Sequence, residues 1–134
     1  MTKIKNIIGR QVFDSRGFPT VEAEVVLENG IKSKAIVPSG ASTGSYEAVE
    51  LRDIDNKYLK KGVSSAVKNI NTKLQKLIGL DVNDQNKIDN QMIDIDGTKN
   101  KSNIGANSIL AVSIASCKAG ALNNKLNLFE HIDK

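Results

Sequence analysis

Ser39, Ser42, Thr43 and Ser45 stand beside Gly40 and Gly44 in residues 38–45, a stretch with no large apolar side chain. Hydroxyls and bare backbone amides at that density can approach an anion or a hard cation. Chemistry in this chain would pass through Ser42. Gly40-Ala41-Ser42-Thr43-Gly44 formally fits the G-x-S-x-G elbow of serine hydrolases. An elbow needs a strand–turn–helix inside a parallel sheet, and an acid and a histidine further on. The sole histidine, His131, sits in the last turn of the chain, and the strands before the loop read as antiparallel hairpins. A phosphate loop fails as well, because no Gly-Lys-Ser/Thr follows. The bland reading, a flexible surface connection, stays open on these residues alone.

No second constellation completes a site. The carboxylates are dispersed and none match a calcium loop. Asp94 and Asp96 flank a polar loop and read as solvated or capping. His131 reads as a surface or interface residue. Cys117, the only cysteine, lies in an apolar helical run and reads as core filler. No general acid–base pair can be assembled from these groups. They suit a domain that contributes to a site without completing it.

The elements that must hold the loop can be traced by periodicity. Residues 3–14 form a strand with imperfect alternation, carrying Ile4, Ile7, Ile8, Val12 and Phe13. A turn cluster follows at residues 14–19. Residues 20–28 alternate, with Val21, Ala23, Val25 and Leu27 on one face and Glu22, Glu24 and Glu28 on the other. Residues 31–37 form a third strand. A two-residue turn at Asn29-Gly30 would put Lys32 and Lys34 on the apolar face of the second strand. A three-residue loop, Glu28-Asn29-Gly30, with Gly30 left-handed, shifts the pairing by one. Ala23 then meets Ala35 and Glu24 meets Lys34, so the odd-length loop is expected.

Helices follow. Val63, Ala66, Val67, Ile70, Leu74 and Leu77 recur at helical spacing, with Gly79 as the stop. Asp84 is placed to cap a helix carrying Ile88, Met92 and Ile95. Residues 104–122 form a third helix, apolar or small nearly all round and therefore buried on several sides. Residues 128–132 make a short terminal helix. Strands first and helices afterward predict an α+β fold, a three-stranded antiparallel β-sheet followed by a helical layer.

The whole chain has 134 residues, 40% hydrophobic and 25% charged, which suits one globular domain, 1–134. Its net charge is +4, yet only Arg10, Arg16 and Arg52 are arginines and there are five aromatics without tryptophan. Base-edge reading favours arginine and single-strand binding favours exposed aromatics, so no direct nucleic-acid binding is expected. No apolar run approaches the roughly 20 residues of a membrane span. The first residues lack a signal core, and one cysteine fits a reducing compartment, so a cytoplasmic location is expected.

Three blocks carry a family resemblance. Asp14-Ser15-Arg16-Gly17-Phe18-Pro19-Thr20-Val21-Glu22 is the first, and Val37-Pro38-Ser39-Gly40-Ala41-Ser42-Thr43-Gly44 the second. The third is Asp96-Gly97-Thr98-Lys99-Asn100-Lys101-Ser102-Asn103-Ile104-Gly105-Ala106-Asn107. In this order and spacing they closely resemble enolase, and specifically its amino-terminal, capping domain. The family's carboxy-terminal barrel is absent from these residues. The resemblance implies a hydro-lyase of glycolysis, dehydrating 2-phosphoglycerate to phosphoenolpyruvate with two Mg²⁺ per site that stabilise an enediolate. It assigns the lysine base, the acid and the ligands of the first Mg²⁺ to the barrel, so this chain by itself is expected to be inactive.

It also assigns residues here. Ser39, Gly40, Ala41, Ser42, Thr43 and Gly44 correspond to a hinged substrate lid, and Ser42 to a ligand of the second Mg²⁺ through its hydroxyl and carbonyl. Residues 38–46 are accordingly expected to be the most mobile internal segment. Arg10 and Glu22 match positions of cross-subunit ion pairs in the family's homodimer, although Glu22 also suits an ordinary exposed sheet face. Phe18 stands where the family usually has Asn, and Tyr46 where His or Arg is common; neither change touches Ser42. The alternative from a different class is a binding module, because enolases also bind plasminogen and join RNA-processing assemblies. Lysines such as Lys134 would serve that role, but no spacing singles one out.

Overall fold

The computed structural model describes residues 2–37, 48–54, 58 and 62–133. Three strands, β1 (Ile4–Phe13), β2 (Pro19–Leu27) and β3 (Lys32–Ile36), form an antiparallel meander in the order β1-β2-β3. Helices α1 (Ser64–Asn71), α2 (Gln85–Asp96), α3 (Ala106–Asn123) and α4 (Leu128–Ile132) follow, with a 3₁₀ segment at Lys73–Leu77. This is the α+β order read from the periodicity. None of the helices among the described residues is long and apolar enough to cross a membrane.

The β2–β3 register is the one the odd-length loop demands. Ala23 pairs with Ala35 and Glu24 with Lys34. The Leu27 N–H donates to the Ile31 carbonyl at 2.8 Å, and Gly30 has a φ of 88°. Val21, Ala23, Val25 and Leu27 are buried on the helix side of the sheet. The imperfect alternation of β1 also has a cause. A register shift between Ile4 and Asn6 inserts one residue, so Ile4 and Ile7 are both buried in the core despite their odd spacing.

Helix α3 lies across β2 and β3, and α1 lies against β1. Ala111, Ala115 and Ala119 let α3 approach the sheet closely, and all three are fully buried. Gly9 does the same for α1. A β-carbon there would stand 2.8 Å from Ile70 Cβ and 3.1 Å from the Val67 carbonyl oxygen.

The periodicity of residues 63–77 suggests one helix, but the structure breaks it at Thr72, with φ −124° and ψ −76°. Side chains explain the break. Asn71 accepts from the Gly9 N–H at 2.8 Å and donates to the Gly9 carbonyl at 3.1 Å. The Gln75 amide donates to the carbonyls of Ile7 at 2.8 Å and Ile70 at 2.9 Å. At Ile7 and Gly9 the outer edge of β1 is thereby covered by two side-chain amides, while its start at Ile4 bonds to the backbone of Gly79 and Leu80; the freed end of α1 is capped. The third helix begins at Ala106 rather than 104, because Gly105 takes a left-handed φ of 99°.

Candidate functional site

The residues expected to form the lid, Ser39, Gly40, Ala41, Ser42, Thr43 and Gly44, lie outside the described residues, as do Tyr46 and Lys134. The frame that receives them is described on both sides. On the departing side, Val37 is buried, and its N–H donates to the Val21 carbonyl at 3.0 Å. Its carbonyl accepts from the hydroxyl of buried Thr20. On the returning side, the Arg52 guanidinium donates to the Pro19 carbonyl at 2.7 Å and to Glu50 at 3.2 Å. Adjacent residues at the start of β2 therefore hold both stems of segment 38–47.

The returning stem is also fastened to the loop before α3. The Val49 N–H donates to the Asn100 carbonyl at 2.8 Å, and the Ala106 N–H donates to the Val49 carbonyl at 2.7 Å. The buried Asn107 amide accepts from the Leu51 N–H at 3.0 Å and donates to the Leu51 carbonyl at 3.1 Å. Gly105 makes room for this contact, since a β-carbon there would meet Leu51 Cβ at 2.6 Å. A partly buried backbone segment without a strand partner needs its polar groups met elsewhere, and Asn107 meets both for Leu51.

Two carboxylates organise the flanks. The Asp53 carboxylate accepts from the Ser64 hydroxyl at 2.5 Å and from the N–H groups of Ser64 and Ser65 at 3.0 Å each, at the start of α1. Burial opposes its ionisation, but these donors outweigh it and hold the carboxyl below its usual range. Asp96 is not solvated: it is only 2% exposed. It caps the loop after α2, accepting from the Ile104 N–H at 2.6 Å, the Thr98 N–H at 2.9 Å and the Thr98 hydroxyl. Here too burial pushes the carboxyl up, and the donors, led by Thr98, bring it below the ordinary value. Asp94 is exposed, as its reading allowed.

Arg10 and Glu22 are brought together on the outer face of the sheet, paired across β1 and β2. Arg10 reaches Glu22 at 3.2 Å and the buried Glu24 at 2.6 Å. That Arg10 contact holds the Glu24 carboxyl below its ordinary range against its burial, with Lys34 and Lys32 adding to the effect. The remaining candidates form no catalytic group. His131 packs over Gly120, with Nδ1 at 3.4 Å from the Asn124 amide nitrogen. Cys117 is half-buried at the edge of the core rather than inside it; burial, then Asp89, pushes its thiol up and away from nucleophilic use. Among the described residues, no three His, Cys, Asp or Glu side chains gather into a metal cage.

Asn107 and Arg52 were not legible as frame residues, and Asp96 only through the capping half of its reading. The one available signal was an Asn in the first turn of an otherwise apolar helix.

The class these features define is an α+β domain in which a helix-backed antiparallel meander presents one long connection, clamped at both stems. The chain matches the family described as "Enolase, N-terminal domain" over residues 4–132, and it belongs to that family. It is 54% identical over 134 residues to the protein named "Enolase" from Elusimicrobium minutum (strain Pei191), a match covering all of this chain and 32% of that protein. The chain thus spans about a third of the length of the curated relative it matches.

Proposed function

We propose that this domain serves a Mg²⁺-dependent enolase of glycolysis, active in the cytoplasm as a homodimer or larger assembly, that dehydrates 2-phosphoglycerate to phosphoenolpyruvate. In this reading residues 38–46 close over substrate and bring Ser42 to the second Mg²⁺. The observation that carries it is the 54% identity to an enolase over the whole chain, the Ser42 segment included. A serine hydroxyl and a backbone carbonyl are hard oxygen donors, the type Mg²⁺ prefers, and Mg²⁺ keeps waters and substrate oxygens as its other ligands. One residue from this domain therefore fits the role. When bound, the metal offsets negative charge gathering on the substrate carboxylate.

The chain's own residues do the positioning. Thr20 holds the departing stem at Val37; Arg52 and Asn107 hold the returning stem; Gly40 and Gly44 supply the hinges. Docking on the family's barrel excludes water from the substrate. Arg10, held by Glu22 and Glu24, keeps its side chain 41% exposed at the outer sheet face, available to a second subunit.

The test is Ser42→Ala in the full-length enzyme, with turnover followed across a Mg²⁺ titration. Lower turnover at limiting Mg²⁺, with the fold intact, is expected. An unchanged Mg²⁺ dependence would remove Ser42 from the metal site.

A further inference from the structure

We infer that Asn29, at the tip of the β2–β3 turn, is a self-modification site: the Gly30 backbone nitrogen closes on the Asn29 amide carbon, and Asn123 restrains the rate.

Asn29-Gly30 is the only Asn-Gly step in the chain, and both residues are exposed. A side chain on the residue after an asparagine hinders approach to its backbone nitrogen, and glycine has none. Nothing lies within 4 Å of the place where a Gly30 β-carbon would stand. The Ile31 N–H donates to Asn29 Oδ1 at 3.2 Å. That bond closes a ring which includes the Gly30 nitrogen, so the side-chain carbonyl is folded forward along the chain. The same N–H meets the oxygen that gains negative charge as nitrogen adds to the carbon.

Two bonds oppose the reaction. The Gly30 N–H donates to the Leu27 carbonyl at 3.0 Å, an acceptor it must leave. The Asn29 amide nitrogen donates to Asn123 Oδ1 at 2.8 Å, and the Thr2 hydroxyl donates to the same oxygen at 3.1 Å. Donation to a fixed acceptor keeps the Asn29 amide planar and its nitrogen a poor leaving group. The Leu27 bond belongs to the turn itself. Asn123, 94 positions away at the end of α3, is the restraint that a side chain supplies.

The chemistry balances with water alone. The Gly30 nitrogen bonds to Asn29 Cγ, the Cγ–Nδ2 bond breaks, and Nδ2 leaves as ammonia with the proton from Gly30. Water then opens the succinimide at either carbonyl. Opening at Cγ gives aspartate; opening at the main-chain carbonyl gives isoaspartate. Both lower the net charge by one unit from +4. Aspartate also sets an acceptor against Asn123 Oδ1 where a donor stood. Isoaspartate routes the main chain through Cβ, lengthening the loop that sets the Ala23–Ala35 pairing.

The experiment incubates full-length wild type, Asn123→Ala and Asn123→Asp at mildly alkaline pH in heavy-oxygen water. Ion exchange follows the charge change. Peptide mass spectrometry locates the incorporated oxygen and separates aspartate from isoaspartate, and circular dichroism checks the fold. Asn29 is expected to convert to both products. Asn123→Ala should convert it about 2- to 12-fold faster, the worth of one hydrogen bond. Asn123→Asp keeps an acceptor and should stay near the wild-type rate. Asn123→Ser, too short to reach Asn29, takes the place of an alanine variant that does not fold.

No conversion of Asn29 in the folded proteins, while the urea-unfolded chain converts, would overturn the site. Equal rates in all the folded proteins would overturn the restraint by Asn123. Aspartate without isoaspartate would refute the Gly30 nitrogen as the attacking group.

Discussion

Asp96→Asn is the substitution that most directly tests how the loop before α3 is held. The wild-type carboxylate accepts from the Ile104 N–H on one oxygen, and from the Thr98 N–H and hydroxyl on the other. Asparagine keeps one of those oxygens and replaces the other with an NH₂ group. Either orientation leaves a backbone N–H facing a donor. Loss of a charge-assisted bond and the stranding of a buried N–H together cost about 2–4 kcal/mol. With an m-value of about 2 kcal/mol/M in urea, the midpoint should fall by about 1–2 M at unchanged m.

The pH dependence supplies a second check. The Asp96 carboxyl sits below its ordinary value in the folded chain, its Thr98 and Ile104 donors prevailing over burial. Its stabilisation is therefore complete above the unfolded value, about 3.9 for Asp. It is lost as pH falls through the lower folded value, where the unfolded chain already binds the proton. The gap between wild type and Asp96→Asn should be full at pH 7 and should shrink on acidification to pH 3 and below. Urea unfolding of both proteins at several pH values measures this. A midpoint difference below about 0.3 M at pH 7 would fall short of even one lost bond. A gap independent of pH would show that the charge is not what holds the loop.

Gly9→Ala should destabilise the domain by about 1–3 kcal/mol, read as a lower thermal midpoint, because the new methyl would sit 2.8 Å from Ile70 Cβ in a filled core. A neutral result would mean that α1 can shift off β1 without loss. The proposed division of labour also predicts no phosphoenolpyruvate formation by this 134-residue chain alone, in a coupled assay with 2-phosphoglycerate and Mg²⁺. Measurable turnover would place a base and a metal site within these residues.

What could be read in advance was whatever neighbouring residues decide among themselves. The β2–β3 register followed from Glu24, Lys34, Ala23, Ala35 and a left-handed Gly30, all within one hairpin. The Asp84 cap was equally local: its side chain accepts from the Lys87 N–H at 3.2 Å, at the start of the helix it was expected to begin. The features that escaped are ones whose partners lie far along the chain. The break at Thr72 depends on Asn71 meeting Gly9, 62 positions away, and Asn107 meets Leu51 across 56. Periodicity records which residues are apolar, and Asn71, Gln75 and Asn107 enter it only as polar interruptions. Their work is to pair backbone groups that no strand reaches, at Ile7, Gly9 and Leu51. Amide side chains suit that work because each carries a donor and an acceptor at a spacing that matches one residue's N–H and C=O. Asn71 uses the pair to close the outer edge of β1 at Gly9, and Asn107 uses it to hold Leu51 where no strand runs. The same device thus covers part of the sheet edge at one place and holds Leu51 at another. An amide in an apolar helical run is then better read as the partner of a distant backbone than as a flaw in the stripe.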